Sequence, residues 1–346
     1  MPVKATMTAS NERCDIQIEP GRSIRIVPDS NAEQLNEQQR IDYEEHRWNF
    51  ITWLRERGKN PEAREGYSDY STYGTTYRTA RFDRWVWGEE ERYSFPPTPE
   101  HATEYIDEVV AFRDVTTSTK GKTEESLIRY FNWLQTRFSG CDWDRDQQFR
   151  SGGEDKPRDY LTRRERRLIR ETVMSNDDDG WKITSLILTS LDTGLRPVEV
   201  RRAVVDWVDI DNKMLRIPKE DSSKNEDNWR VAITSRSATA LTHWLQERRG
   251  LEKYDGRDEI WLTRESTPYT SKSLRRLIER LCRDAGIELG GRSMTFYSIR
   301  HSVGTYVTEE RDLKAAKDQL RHQSARTTMK YDQVSAAKRR EILEKL

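Results

Sequence analysis

Cysteine is nearly missing from this sequence: Cys14, Cys141 and Cys282 are the only three in 346 residues, and they are widely scattered. That excludes a disulfide framework and any zinc site built on paired cysteines. Histidine is almost as scarce, with five residues at positions 46, 101, 243, 301 and 322 and no metal-binding spacing among them. Long apolar runs are missing too. Mean hydropathy is −0.99, and the longest apolar-leaning stretch, Ile183–Leu191, is far short of the ~20 residues of a membrane span. The opening residues carry no apolar stretch of the signal-peptide kind, so a cytoplasmic protein without membrane contact is expected. Common catalytic signatures are also absent. Gly121-Lys122-Thr123 imitates the end of a phosphate loop, but Thr116 stands where its first glycine belongs. No H-E-x-x-H and no G-x-S-x-G occurs.

Net charge is the last absence. Sixty Lys and Arg face sixty Asp and Glu, which argues mildly against nucleic acid, a partner that usually attracts a basic protein. The basic set is nevertheless lopsided, with 44 arginines to 16 lysines. Arginine offers a planar fork suited to phosphate, whereas lysine is a point charge. The same bias also suits a GC-rich genome.

What is present suggests two domains, at roughly 100–200 residues each. Residues 1–32 are polar and aperiodic and read as a flexible arm. Residues 33–140 carry four helical patterns. The clearest has Leu127, Phe131, Leu134 and Phe138 along one face, and Pro99 opens another at its first position. Residues 141–158 are almost devoid of apolar residues, contain Gly152, Gly153 and Pro157, and read as a linker. A second domain over 159–346 starts with Thr162 and Glu165 spaced as a capping box. It combines helices with three short strands, 207–210, 214–217 and 229–234. The fold class is mixed α/β and mainly α, with a small antiparallel sheet.

Three segments of the second domain stand out: Thr193-Gly-Leu-Arg-Pro-Val-Glu199, Phe296-Tyr-Ser-Ile-Arg-His-Ser-Val-Gly-Thr305 and Leu320-Arg-His-Gln-Ser-Ala-Arg-Thr-Thr-Met-Lys-Tyr331. Singly each has an ordinary explanation as an ion pair, a polar core residue or one of fourteen tyrosines. In this order and at these spacings they resemble the tyrosine recombinases, the phage-integrase and Xer-type family. The opening Leu161-Thr-Arg-Arg-Glu-Arg-Arg167, with the arginine bias, looks like integrases of haloarchaeal plasmids and viruses.

The resemblance implies that Arg196 and Arg300 grip a scissile phosphate, that His322 assists them, and that Tyr331 is the nucleophile. It implies a general-acid lysine on a hairpin turn. Lys219 follows the Leu-Arg-Ile-Pro run, and Lys224 lies on the same turn. Glu199 would orient the first arginine. The four-helix N-terminal part would be a core-binding, SAM-like domain that clamps double-stranded DNA with the catalytic domain. The partners implied are specific recombination sites in DNA and a homotetramer on them, from a chain able to be a monomer in solution, and the protein would be nucleoid-associated when bound. No metal and no cofactor is expected. The residue chemistry agrees, because a phosphotyrosyl ester conserves the bond energy and arginines can hold the phosphate oxygens. A type IB topoisomerase, a decayed DNA-binding protein and a purely structural protein are the alternatives.

Two positions depart from the family pattern. Tyr297 replaces a histidine, and an unperturbed phenol titrates near ~10, so positioning of the phosphate is expected of it rather than proton abstraction. His301, next to Arg300, is a possible substitute. Arg321 replaces a glycine, and it reads as a DNA-phosphate contact or a solvated helix residue. In the first domain Arg78, Arg81 and Arg84 recur every three residues. They read either as a DNA-facing row or as an exposed face paired with Asp83 and Glu89–Glu91. A tail helix over 335–346 would dock on a neighbouring protomer or on its own domain. Finally, residues 291–346 hold 12 basic and seven acidic residues, so a neutral chain still concentrates positive charge locally.

Overall fold

The computed structural model describes residues 15–19, 22–150, 159–175, 180–222, 227–322, 324–329, 331 and 344. They form two compact units, divided between residues 154 and 155.

The first unit begins with a small hairpin. Strands β1 (Ile16–Glu19) and β2 (Arg22–Ile24) pair antiparallel, with Ile16 opposite Ile24, and the short helix α1 (Asp29–Ala32) follows. Where a flexible arm is expected, the described residues between 15 and 32 thus include two strands and a helix. Ile24 and Ile26 are buried, and the Ile26 carbonyl accepts from Arg47 Nε at 3.3 Å. Strands of three or four residues are too short to show alternation in a sequence. Residues 1–14 of the expected arm lie outside the described residues.

Helix α2 (Glu37–Glu56) starts at a capping box between Asn36 and Gln39. It is followed by α3 (Asp69–Glu89), α4 (Pro99–Glu104) with its π-helical extension Tyr105–Val110, and α5 (Thr117–Leu134). Phe50, Leu54, Phe82, Val86, Ile106, Leu127, Phe131 and Leu134 pack as one core. Residues 141–150, expected as linker, belong to this unit. Cys141 and Trp143 join its core, and the buried Glu124 carboxylate accepts the N–H groups of Gln148 and Phe149 at 2.9 Å and Arg145 Nε at 3.2 Å. One buried carboxylate thus organises an irregular segment, which leaves no periodic trace in the sequence. Residues 151–158 lie outside the described residues.

The second unit opens with α6 (Arg163–Ser175), capped as expected by the reciprocal Thr162 and Glu165 bonds. The apolar α7 (Gly180–Thr193) is its central helix, with nearly every residue from Ile183 buried. After α8 (Pro197–Arg202) come β3 (Val208–Asp209), β4 (Met214–Ile217) and β5 (Trp229–Ala232), an antiparallel sheet in that order. Leu215 and Val231 pair across it and both point into the core. Helices α9 (Ser235–Arg249), α10 (Ser271–Asp284), α11 (Phe296–Glu310), α12 (Leu313–Leu320) and α13 (Ala325–Met329) complete the unit. The expected mainly helical fold with a small antiparallel sheet is the one observed. Among the described residues no helix is long and apolar enough to cross a membrane. The expected tail helix lies outside the described residues, Glu344 apart.

Candidate functional site

The site grows from the turn between α7 and α8. Gly194 adopts φ +58°, and a Cβ there would lie 2.8 Å from the Leu320 side chain and 3.3 Å from that of Arg300. Only glycine meets both the conformation and the space. Arg196 then occupies the N-cap of α8, with Pro197 at the first helical position. One turn on, Glu199 is wholly buried. Its carboxylate accepts the Arg196 backbone N–H at 2.8 Å and the Arg196 guanidinium at 2.9 Å.

Two more guanidiniums converge here. Arg300 of α11 is buried, and donates to the Gly194 carbonyl at 2.6 Å and to the Leu320 carbonyl. Arg321 is 3% exposed and donates to Glu199 at 2.6 Å, to the Thr193 carbonyl at 2.9 Å and to the Gln319 carbonyl at 3.0 Å. The expectation of Arg321 as a DNA contact or a solvated residue is therefore corrected. It ends α12 in the left-handed conformation (φ 57°, ψ 51°), the geometry that suits the glycine of the family pattern. From there its side chain turns inward to the carboxylate rather than out to solvent.

Electrostatics follow from this crowding. Burial alone would raise the Glu199 carboxyl, but the charges of Arg321, Arg196 and Arg300 outweigh it and hold the group down at about 2. Burial, with Arg321 and Arg196 alongside, brings Arg300 down to about 9. Three guanidiniums surround one carboxylate, and Arg196 keeps 15% of its side chain exposed. Such a cluster has the charge and the donors that a phosphate would require.

Beside it lies a row of rings. Tyr331 is 5% exposed, and its ring lies parallel to that of His322 with centroids 6.0 Å apart. Its hydroxyl is 3.0 Å from His301 Nδ1, and its N–H donates to the Thr328 carbonyl at 2.8 Å. His322 Nδ1 pairs with the Thr328 hydroxyl at 2.9 Å. Tyr297, half-exposed, stacks on His301 at 6.2 Å. Gly304 makes this packing possible, since a Cβ there would lie 2.7 Å from the Tyr331 ring. Chain neighbours 300/301 and 321/322 join the ring row to the arginine cluster.

The lysine stands apart. Lys219 is exposed on the turn after β4, where its N–H donates to Asn228 at 2.8 Å. Among the described contacts none joins its ammonium to the arginines. Arg202, last residue of α8, holds that turn through the Ser222 carbonyl at 3.1 Å. Lys224 lies outside the described residues. In the first unit the expected arginine row divides: Arg81 is exposed, Arg84 donates to the Ser30 hydroxyl, and Arg78 is half-buried. Asp83, expected as an exposed partner, is buried and bonded to the Tyr43 hydroxyl at 2.7 Å. The packing role of Gly304 is new, because nothing in the sequence pairs it with Tyr331. The third guanidinium was signalled only by arginine at a glycine position.

The second unit is also similar to known proteins. The sequence profile of the phage integrase family matches residues 160–338. The tyrosine recombinase XerC of Corynebacterium efficiens is 25% identical over 167 residues, covering 48% of this chain and 51% of the relative. That of Chlamydia caviae is 28% identical over 171 residues, 48% of this chain and 52% of the relative. The chain thus spans about half the length of the curated relatives it matches. Among solved structures, the XerH site-specific recombinase in a post-cleavage complex with a palindromic difH substrate superposes with TM-score 0.62 at 14% identity, covering 90% of each chain. The Tn1549 transposon integrase in complex with a circular intermediate DNA gives 0.59 at 16% identity, over 86% of this chain and 98% of that one. These two likenesses concern the fold. With the profile covering more than half of its residues, this chain belongs to the phage integrase family.

Proposed function

We propose that this protein is a site-specific DNA recombinase that cleaves and rejoins duplex DNA through a 3′-phosphotyrosyl intermediate. The observation that carries the proposal is the meeting of three guanidiniums around one carboxylate with a buried tyrosine beside them. Arg196 and Arg300 would neutralise the non-bridging oxygens of a scissile phosphate as charge builds on them, aided by His322. Glu199 and Arg321 act behind them as positioning residues. Tyr331 Oη attacks phosphorus, the bond to the 5′-oxygen breaks, and Lys219 (or Lys224 on the same turn) gives that oxygen a proton. Tyr297, half-exposed one turn before Arg300, would hydrogen-bond a phosphate oxygen. The ester retains the energy of the broken bond, so the reading requires neither metal nor nucleotide.

The same reading assigns DNA contact to the first unit, where Arg81 is the exposed member of its arginine row. It also implies four protomers on two recombination sites, in the cytoplasm and on the nucleoid. The test is covalent capture on a nicked suicide site. The wild-type protein should form an adduct that survives denaturant, and Tyr331→Phe should form none. Adduct formation by Tyr331→Phe would overturn the assignment.

A further inference from the structure

The chemistry above leaves one event without an agent: removal of the Tyr331 proton. Tyr297 stands where the family pattern has its histidine, and a phenol that already carries its proton is a poor acceptor of another. The structure offers another group. The Tyr331 hydroxyl lies 3.0 Å from His301 Nδ1, within direct proton-transfer distance. His301 follows Arg300 on α11, so one helical turn presents both a phosphate-gripping guanidinium and an imidazole. The pair is 5–8% exposed, which shields the bond from competing water.

We infer that His301 accepts the Tyr331 proton during strand cleavage and returns it during rejoining, an assignment that rests on the recombinase reading above. The tautomer required carries its proton on Nε2, leaving Nδ1 to accept from the hydroxyl. As Oη bonds to phosphorus, its proton passes to Nδ1 and the imidazole becomes imidazolium. The electron pair of the broken bond leaves with the 5′-oxygen, which the turn lysine protonates. In rejoining, the 5′-hydroxyl gives its proton back to that lysine and attacks phosphorus, and Tyr331 departs with the proton from the imidazolium.

The surroundings fit this task. Tyr297 and Arg300 flank His301 on its own helix, and the ring of His322 lies along Tyr331 from the segment after α12. Arg300 interacts electrostatically with the Tyr331 hydroxyl, and its charge favours the phenolate as it forms. His322 is a weaker candidate for the same proton, since its Nδ1 is directed at Thr328.

Single-turnover cleavage of a nicked site, followed across pH 5–9, tests the inference. His301→Ala should bind the site normally and cleave at least ~100-fold more slowly, the range of general acid–base catalysis. Added imidazole should restore part of that rate. His301→Gln, which keeps a hydrogen-bonding side chain without a base, should be as slow. A 5′-bridging phosphorothiolate, whose leaving group needs no acid, should leave both variants slow. Cleavage by His301→Gln at near wild-type rate assigns His301 to packing and overturns the inference, as does rescue by the phosphorothiolate. Should neither variant bind DNA, the wild-type protein decides: on the phosphorothiolate site Tyr331 supplies the only proton in flight, so a cleavage rate with no solvent deuterium isotope effect overturns the inference. Failure of the wild-type protein to form any adduct would instead count against the recombinase reading itself.

Discussion

Both units bury arginine, but in different electrical company. In the first, Arg47 is wholly enclosed and donates to the Thr79 hydroxyl at 2.8 Å and the carbonyls of Thr76 and Ile26 at 2.7 and 3.3 Å. Its charge is offset by the buried Asp83 carboxylate. In the second, Arg300 and Arg321 are just as enclosed, yet with Arg196 they face a single carboxylate, Glu199. The first balance closes within the protein. The second is left with two positive charges that an arriving anion can match. Burial alone therefore does not separate the two sets of arginines; uncompensated charge does.

The harshest way to break this contrast is Glu199→Gln. Removing the one carboxylate from a buried ionic cluster should cost about 3–5 kcal/mol. Inorganic phosphate should raise the melting temperature of wild type and variant alike, because an anion that binds only the folded state stabilises it by mass action. Thermal melts with and without phosphate check both points, and a variant as stable as wild type would show that the carboxylate is dispensable. Arg47→Leu is the matching change in the first unit. It strands buried carbonyls and should cost about 2–3 kcal/mol, with no response to phosphate in the first unit's protection from hydrogen exchange.

The smallest and sharpest contrast is pH. Burial raises the Asp83 carboxyl to about 6, above its unfolded value, so its contribution is fully present below pH ~4 and is lost as pH rises through 6. Glu199, depressed to about 2, contributes stability present above pH ~4.5 and lost as pH falls toward 2. Hydrogen exchange resolved by unit should thus show opposite acid slopes. Asp83→Asn should flatten the first alone; an unchanged slope in that variant would refute the assignment.

Much of the second unit was legible because its signals are local. Gly194, Pro197 and Glu199 fix a turn, a helix start and a carboxylate within six residues, and each has a residue-type reason. The Thr162 and Glu165 cap was readable on the same terms. What escaped depends on distant partners. A sequence does not separate a solvated arginine from Arg321, whose acceptors lie as far off as Thr193 and Glu199. Nor does it show that Asp83 meets Tyr43 across forty residues, or that Glu124 gathers residues 145–149 into the first unit. The ring row was half legible: the spacing of His322 and Tyr331 was plain, while the bond from His301 needed the fold.

Tyr331 packs with Val303 and Leu320 against the bare backbone of Gly304, so the proposed nucleophile is also a structural wedge. Mutant alleles at this position should therefore fall into two genetic kinds. Loss of the hydroxyl alone keeps the wedge, and under the proposed function such a protein should still occupy its sites and poison mixed assemblies with intact copies. Loss of the whole ring opens a cavity, at about 3–5 kcal/mol for an aromatic cut to alanine, and behaves like a missing gene. Dominance in one case and recessiveness in the other follow from a single glycine.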